Sequence, residues 1–379
     1  MTERKKILLS PPCVNHLEEQ YVQNAIKSGW IAPQGPEVIK FENAIQHYLG
    51  EEVFPVAVNS GTAAIHLSLL ALGAGKVDFV ITQSFTFTAS ANPIQYVGAT
   101  PIFIDSEDET WNMSPILLQK SIEDLQTQNK KPKAIIAVSL YGMPFSEEIK
   151  VIANQYNIPL IEDSAEALGS SFKNRKCGTF GDLAIFSFNG NKIITTSGGG
   201  AVICKTKEQA DYIRFLANQA KDDAPFYQHS QLGFNYALSN ISAAIGNAQI
   251  TKLPEFVIRR KTIQQHYKDA LAKYDFIKVH TEPTSDFSSN HWLTCILIDE
   301  NEAGKTNTEL KDYLASKGIE SRFLWKPMHL QPLYAKAKFY GDGTSETLFS
   351  KGLCLPSGSG LTDEQLSYII ETIHEFFAA

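Results

Sequence analysis

Cysteine is scarce and dispersed: five residues, Cys13, Cys177, Cys204, Cys295 and Cys354, stand in a chain of 379. No C-x-x-C occurs, so neither a disulfide framework nor a structural zinc site is expected, no metal is implied, and the usage fits a reducing cytoplasm. Long apolar runs are missing as well. No stretch approaches the roughly 18 residues that a membrane span requires, and Met1–Lys6 is polar and charged, so neither a signal peptide nor membrane insertion is expected. Basic charge is not concentrated anywhere; the net charge is −7, which gives no sign of nucleic-acid binding. Repeats and low-complexity tracts are also absent. With 43% hydrophobic residues, the chain can bury a large core and is expected to form one larger and one smaller domain.

What is present is a series of short apolar runs alternating with helical patterns. Phe54–Val58, Asp78–Ile81, Pro101–Ile104, Ala134–Val138, Pro159–Ile161 and Leu183–Phe188 read as buried strands. Helices are expected between them, among them one from about Thr88 to Val97 and one near Glu147–Gln155. This β-α-β alternation predicts an α/β fold with a mainly parallel sheet covered on both faces. Near the start, Leu17, Tyr21, Ala25 and Ile26 share a helical face that ends at Gly29. Ile241–Leu253 reads as a helix, and the composition shifts after Pro254. The expected domains are therefore 1–254 and 255–379, the second closing with a helix that starts from the capping box Thr362…Gln365.

Four stretches carry chemistry. Phe186–Gly200 sets Lys192 in a polar turn between an apolar run and a glycine-rich break. Partial desolvation by Ile193 and Ile194 would lower the pKa of its amine, as a carbonyl-attacking lysine needs; alternatively Lys192 is an ordinary solvated lysine. Asn59-Ser60-Gly61-Thr62-Ala63-Ala64 follows a strand and opens a helix, which makes either an anion site or a plain Ser60 N-cap. Ser84-Phe85-Thr86-Phe87 ends a strand, where a phenylalanine could be core or could lie flat on a planar ring. Glu162-Asp163-Ser164-Ala165-Glu166 places three acids at a strand's carboxyl end, either as a cap cluster or to hold a ring nitrogen protonated. Outside these, Trp30-Ile31-Ala32-Pro33-Gln34-Gly35 is a packed or a ligand-contacting loop, and Arg322–Pro332 is a loop with Trp325, Lys326 and His329.

In that order, these motifs resemble the nucleotide-sugar aminotransferases of the DegT/DnrJ/EryC1/StrS family, over about Pro11 to Pro356. The resemblance implies a fold-type I enzyme dependent on pyridoxal 5′-phosphate, with L-glutamate and a nucleotide sugar as substrates. By position, Lys192 would bond to the cofactor aldehyde and move the substrate proton, Asp163 would pair with the pyridinium nitrogen, and Phe87 would stack on its ring. Glu166 would lie near the phenolic oxygen. Gly61, Thr62, Ala63, Ser187 and Asn189 would line the phosphate end. Asn235 matches a residue donated by a neighbouring subunit, implying a homodimer with shared sites. Trp30, Ile31, Ala32, Arg322, Lys326 and His329 match segments that approach the nucleotide sugar.

Ser10-Pro11-Pro12, Glu166–Ser170 and Asn189–Gly200 look closest to 4-aminotransferases acting on UDP-4-keto-6-deoxy-N-acetylglucosamine, the bacillosamine branch. GDP- or dTDP-linked sugars and 3-keto sugars are the alternatives. The chain departs from the family pattern at Gln83, Ser139, Ser197–Gly200 and Ala237. It also departs at Glu166, which is expected to be protonated or turned toward water. One rival is a cofactor-dependent sugar dehydratase, in which a histidine usually replaces the lysine. Another is a non-catalytic nucleotide- or phosphate-binding protein, which would need neither Lys192 nor Asp163.

Overall fold

A computed structural model describes residues 6–50 and 52–378; the polar Met1–Lys5 lies outside them. Two helices, α1 (His16–Ser28) and α2 (Pro36–Leu49), precede the first strand. The alternation expected from the apolar runs then unfolds as β1 (Phe54–Val58), α3 (Gly61–Ala71), β2 (Phe79–Gln83), α4 (Asn92–Tyr96), β3 (Thr100–Ile104), α5 (Pro115–Thr127), β4 (Ala134–Val138), α6 (Glu148–Gln155) and β5 (Leu160–Asp163). A hairpin of β6 (Ser171–Phe172) and β7 (Arg175–Lys176) turns through Lys173 and Asn174, both at positive φ, the geometry of a two-residue hairpin loop. After it come β8 (Leu183–Ser187), β9 (Gly200–Cys204), α7 (Lys207–Ala217) and α8 (Asn240–Leu271). The remainder is β10 (Ile277–Val279), β11 (Phe287–Ser288), β12 (Thr294–Ile298), α9 (Glu300–Ala303), α10 (Asn307–Ser316), β13 (Arg322–Phe323), β14 (Lys338–Tyr340), α11 (Thr344–Lys351), β15 (Gly352–Leu355) and α12 (Asp363–Ala378).

The principal sheet runs β1-β9-β8-β5-β4-β2-β3-β14. All its neighbours are parallel except β9, which is antiparallel to both β1 and β8. Its central strands are buried on both faces, which is why Ala134–Val138 and Leu183–Phe186 read as unbroken apolar runs rather than alternating ones. The sheet is α/β and mainly parallel, as the fold-type I expectation requires. A second sheet, β10-β12-β15-β13, is antiparallel, and Ile263, Leu310, Ile369 and Ile373 share its core. The cap of α12 forms as expected, Thr362 and Gln365 bonding reciprocally.

Two helix expectations need correction. Thr88–Val97 is not one helix: a 3-10 turn at Thr88–Ser90 gives way to α4, because Pro93 sits at its first turn, where a missing N–H costs nothing. The helix read as Ile241–Leu253 does not stop before Pro254: α8 runs through the proline for 32 residues. Phe41 and Leu253 in one core, and Ile263 and Leu271 in the other, bury it along its length, and that packing outweighs the lost hydrogen bond.

Candidate active site

Because β8 is parallel to β5 and β1 is antiparallel to β9, one edge of the large sheet collects the ends of several strands. Asp163 ends β5, Ser187 ends β8 beside Gly200 at the start of β9, and Val58 ends β1 on the other side of Gly200. A cavity of about 530 Å³ opens at this edge. Such an edge is where open α/β sheets bind their ligands.

Lys192 reaches this cavity from a tight turn in which its own N–H donates to the Asn189 carbonyl at 3.0 Å. Ile193 and Ile194 are buried beside it. Its Nζ lies 3.2 Å from Glu166 Oε1 and 4.1 Å from the centre of the Trp292 ring. Glu166 is itself buried, and its Oε2 accepts the Tyr141 N–H at 2.7 Å. Of the two alternatives expected for Glu166, protonated or turned toward water, the second is overturned: it faces the lysine. Burial pushes its carboxyl up, against the pull of the Lys192 charge.

Asp163 and Glu162 occupy successive strand positions and so point to opposite faces. Glu162 accepts backbone N–H bonds from Gly178 at 2.6 Å, Phe180 at 2.8 Å and Gly181 at 3.2 Å, which anchors the loop before β8. Asp163 lines the cavity, held by Ser90 Oγ at 2.7 Å and by the Ala165 N–H at 3.1 Å. Burial raises its carboxyl pKa, opposed by those two donors and by the Lys192 charge. A cation placed against it would meet a carboxylate whose orientation is already fixed.

At the start of α3, Ser60 Oγ accepts the Ala63 N–H at 3.0 Å, and the Ser60 carbonyl takes the Ala64 N–H at 3.1 Å. That leaves Gly61 and Thr62, both lining the cavity, to supply the first-turn donors an anion would use. The cap and anion readings of this turn thus describe one structure, with Ala63 engaged internally. Gly200 packs directly behind the turn; a Cβ there would lie 2.5 Å from the Ser60 carbonyl carbon and 2.7 Å from the Gly61 nitrogen.

Of the residues expected at the site, Gly61, Thr62, Phe87, Asp163, Glu166, Ser187, Asn189, Lys192 and Arg322 line the one cavity. Phe85 is core, while Phe87 is 48% exposed and tilts against Trp325 at 5.1 Å. Lys326 lines an adjoining cavity of about 490 Å³ that shares Thr86, Phe87 and Trp325 with the first. His329 lines neither cavity: Nδ1 meets Ser84 Oγ at 2.6 Å and Nε2 meets Glu346 at 2.9 Å. Trp30 and Ile31 are exposed away from the cavity, on a loop whose Trp30 and Ala32 carbonyls bond Asn240. Asn235 is exposed outside the cavity, its carbonyl accepting from Asn59 Nδ2 at 3.1 Å. Sequence reasoning missed Ser90, Tyr141 and Trp292. Ser90 lies 73 positions from its carboxylate and carries no local signal; Trp292, one of four tryptophans, opens a strand run and could have been singled out.

An amine, a buried and oriented carboxylate, an anion-binding helix start and an exposed aromatic ring in one cavity fit a planar aldehyde cofactor carrying a phosphate and a basic ring nitrogen. The sequence profile described as the DegT/DnrJ/EryC1/StrS aminotransferase family matches residues 12–374. The chain is 46% identical over 378 residues to EpsN of Bacillus subtilis (strain 168), provisionally assigned as a pyridoxal phosphate-dependent aminotransferase, covering 98% of this chain and 96% of that protein. It is 38% identical over 377 residues to a GDP-perosamine synthase of Escherichia coli O157:H7, covering 99% of each. A crystal structure of a DegT DnrJ EryC1 StrS aminotransferase from Brucella abortus superposes with a TM-score of 0.88 at 30% identity, covering 96% of this chain and 95% of that one.

Proposed function

The chain belongs to the DegT/DnrJ/EryC1/StrS aminotransferase family, and from that premise we propose that this pyridoxal phosphate-dependent sugar aminotransferase moves an amino group from L-glutamate to C4 of UDP-4-keto-6-deoxy-N-acetylglucosamine. The observation that carries the chemistry is the approach of Lys192 Nζ to Glu166 in the cavity that Asp163 also lines. When bound, the cofactor supplies the electron sink that makes an amino acid's α-proton removable. The chain's own residues do the rest. Gly61, Thr62 and Ser187 would hold the phosphate end, Asp163 would provide the anionic partner for a pyridinium nitrogen, and Phe87 would cover the ring. As free amine, Lys192 would take the donor's α-proton and hand it on before the oxo-acid leaves, and in the second half-reaction it would deliver a proton to C4 of the acceptor sugar by the reverse route, with Glu166 within reach to accept or return the amine's own proton.

The choice of sugar rests on the likeness of Glu166–Ser170 and Asn189–Gly200 to the UDP-sugar 4-aminotransferases. The adjoining cavity, with Lys326 on its wall, has room for a nucleotide. A second reading, a GDP-linked 4-keto sugar, is favoured by the relative named GDP-perosamine synthase. In our reading residues 1–254 form the cofactor side and 255–379 the smaller part, the enzyme works in the cytoplasm, and it is a homodimer. The last is supported by the exposed Trp30, Ile31, Phe226, Tyr227 and Leu232, with Asn235 serving the neighbouring site. Among the described residues no helix is long and apolar enough to cross a membrane.

The test is the visible absorbance of the purified protein loaded with cofactor. Glutamate should bleach the band, and UDP-4-keto-6-deoxy-N-acetylglucosamine should restore it, with the GDP-linked ketosugar tried in parallel. Restoration by the GDP sugar alone would replace the UDP reading with the second one. A Lys192→Ala variant that still aminated the ketosugar would overturn the role given to Lys192.

A further inference from the structure

Arg260 lies in the second half of α8 and is only 1% exposed. Among the described residues no carboxylate pairs with it, and burial alone draws its guanidinium down to about 9. A buried, unpaired cation is costly unless its nitrogens are hydrogen-bonded. Each of its three nitrogens finds an acceptor: Nε donates to Ser359 Oγ at 3.0 Å, Nη2 to Ser10 Oγ at 3.1 Å, and Nη1 to the Trp292 carbonyl. Two of these partners pass the connection onward to a single atom. Ser10 Oγ donates to the Asn191 carbonyl oxygen at 2.9 Å, and Trp292 Nε1 donates to the same oxygen at 2.7 Å. Because Ser10 accepts from a guanidinium, its one proton is directed toward Asn191. Asn191 is the residue before Lys192, and the face of the Trp292 ring lies 4.1 Å from the Lys192 amine.

We propose that Arg260 is a positioning residue for amino transfer: by fixing Ser10 and Trp292 it clamps the Asn191 carbonyl from two sides and so sets the line along which Lys192 enters the cavity. A guanidinium serving the fold alone has no reason to hold two residues that converge on one oxygen beside the reacting amine. The inference rests on the reading of Lys192 as that amine.

The experiment uses full-length apoprotein mixed with pyridoxal phosphate, following the growth of the visible band. Affinity for pyridoxamine phosphate, which has no aldehyde and fills the cavity without Lys192, is measured alongside. Arg260→Met and Ser10→Ala should each slow capture about tenfold, while the double variant is slower than either by no more than about twofold, since both act through one atom. Pyridoxamine phosphate affinity should stay within about twofold of wild type. Additive slowing, unchanged capture, or a parallel loss of pyridoxamine phosphate affinity would each overturn the proposal. Should Arg260→Met not fold, Arg260→Lys, which keeps the charge and can meet one acceptor, replaces it; if neither folds, Arg260 serves only the fold and the proposal falls. A Lys192→Ala protein that still develops the band would instead sink the reading of Lys192, a separate result.

Discussion

Gly200 offers a direct probe of the anion cradle. Replacing it with alanine puts a Cβ 2.5 Å from the Ser60 carbonyl carbon, about 0.9 Å short of the 3.4 Å at which ordinary contact begins. Neither neighbour is a flexible side chain that can swing away. Both belong to the backbone turn that presents the Gly61 and Thr62 N–H groups, so the turn itself must move. A hydrogen bond near 2.9 Å that lengthens by most of an ångström is no longer one. Loss of one bond to a charged acceptor costs about 1.5–3 kcal/mol, which corresponds to roughly a 10- to 150-fold weaker hold on the phosphate. Overpacking should also lower folding stability by about 1–3 kcal/mol. The assay is equilibrium titration of apoprotein with pyridoxal phosphate and, separately, with pyridoxal, which lacks the phosphate. Gly200→Ala should weaken the first and leave the second within about twofold. Equal weakening of both, or of neither, would refute the placing of the phosphate against this turn.

Ser90→Ala removes a donor that holds the Asp163 carboxylate ionised, so the Asp163 pKa should rise further. The acid limb of kcat/KM against pH should then move to higher pH, and a profile unchanged at acid pH would show that Asp163 does not govern it. Asp105 is a separate case. Burial raises its pKa, but hydrogen bonds from Ser345, Ser106 and Gly343 outweigh this and hold it below the ordinary carboxylate range. Its stabilising effect is therefore complete above the unfolded-state pKa and fades as pH falls through the folded-state value. Asp105→Asn should cost about 2–4 kcal/mol in urea unfolding at neutral pH and progressively less toward pH 3, and a difference independent of pH would contradict this.

The large sheet was legible because its strands are buried on both faces, which turns Ala134–Val138 and Leu183–Phe188 into unmistakable apolar runs. The turn that carries Lys192 was legible for a similar reason: a lysine in a polar turn between the apolar run Leu183–Phe188 and a glycine-rich break is locally unusual. Elements whose identity depends on distant partners were not. The three residues of β14 are a strand only because β3 lies alongside, and α8 stays helical through Pro254 only because two cores hold it. Likewise Asp163 and Glu166 could be found as acids, but Ser90 and the Tyr141 N–H that orient them come from other strands' ends. His329 shows the opposite failure. A histidine in a loop of cationic and aromatic residues looks like a ligand contact, yet both of its nitrogens are bound within the chain.

The pairing of β14 with β3 also fixes an order of events on the ribosome. Ile102–Ile104 emerges first, and its outer partner, Lys338–Tyr340, follows more than 200 residues later. At about 5–20 residues per second, the interval is tens of seconds. Throughout it, the Ile-Phe-Ile edge of the largest sheet presents unpaired backbone, and Asp105 beside it waits for the N–H groups of Asp342, Gly343 and Ser345. The nascent chain is thus obliged to carry an open, sticky edge until Lys338–Tyr340 has been made.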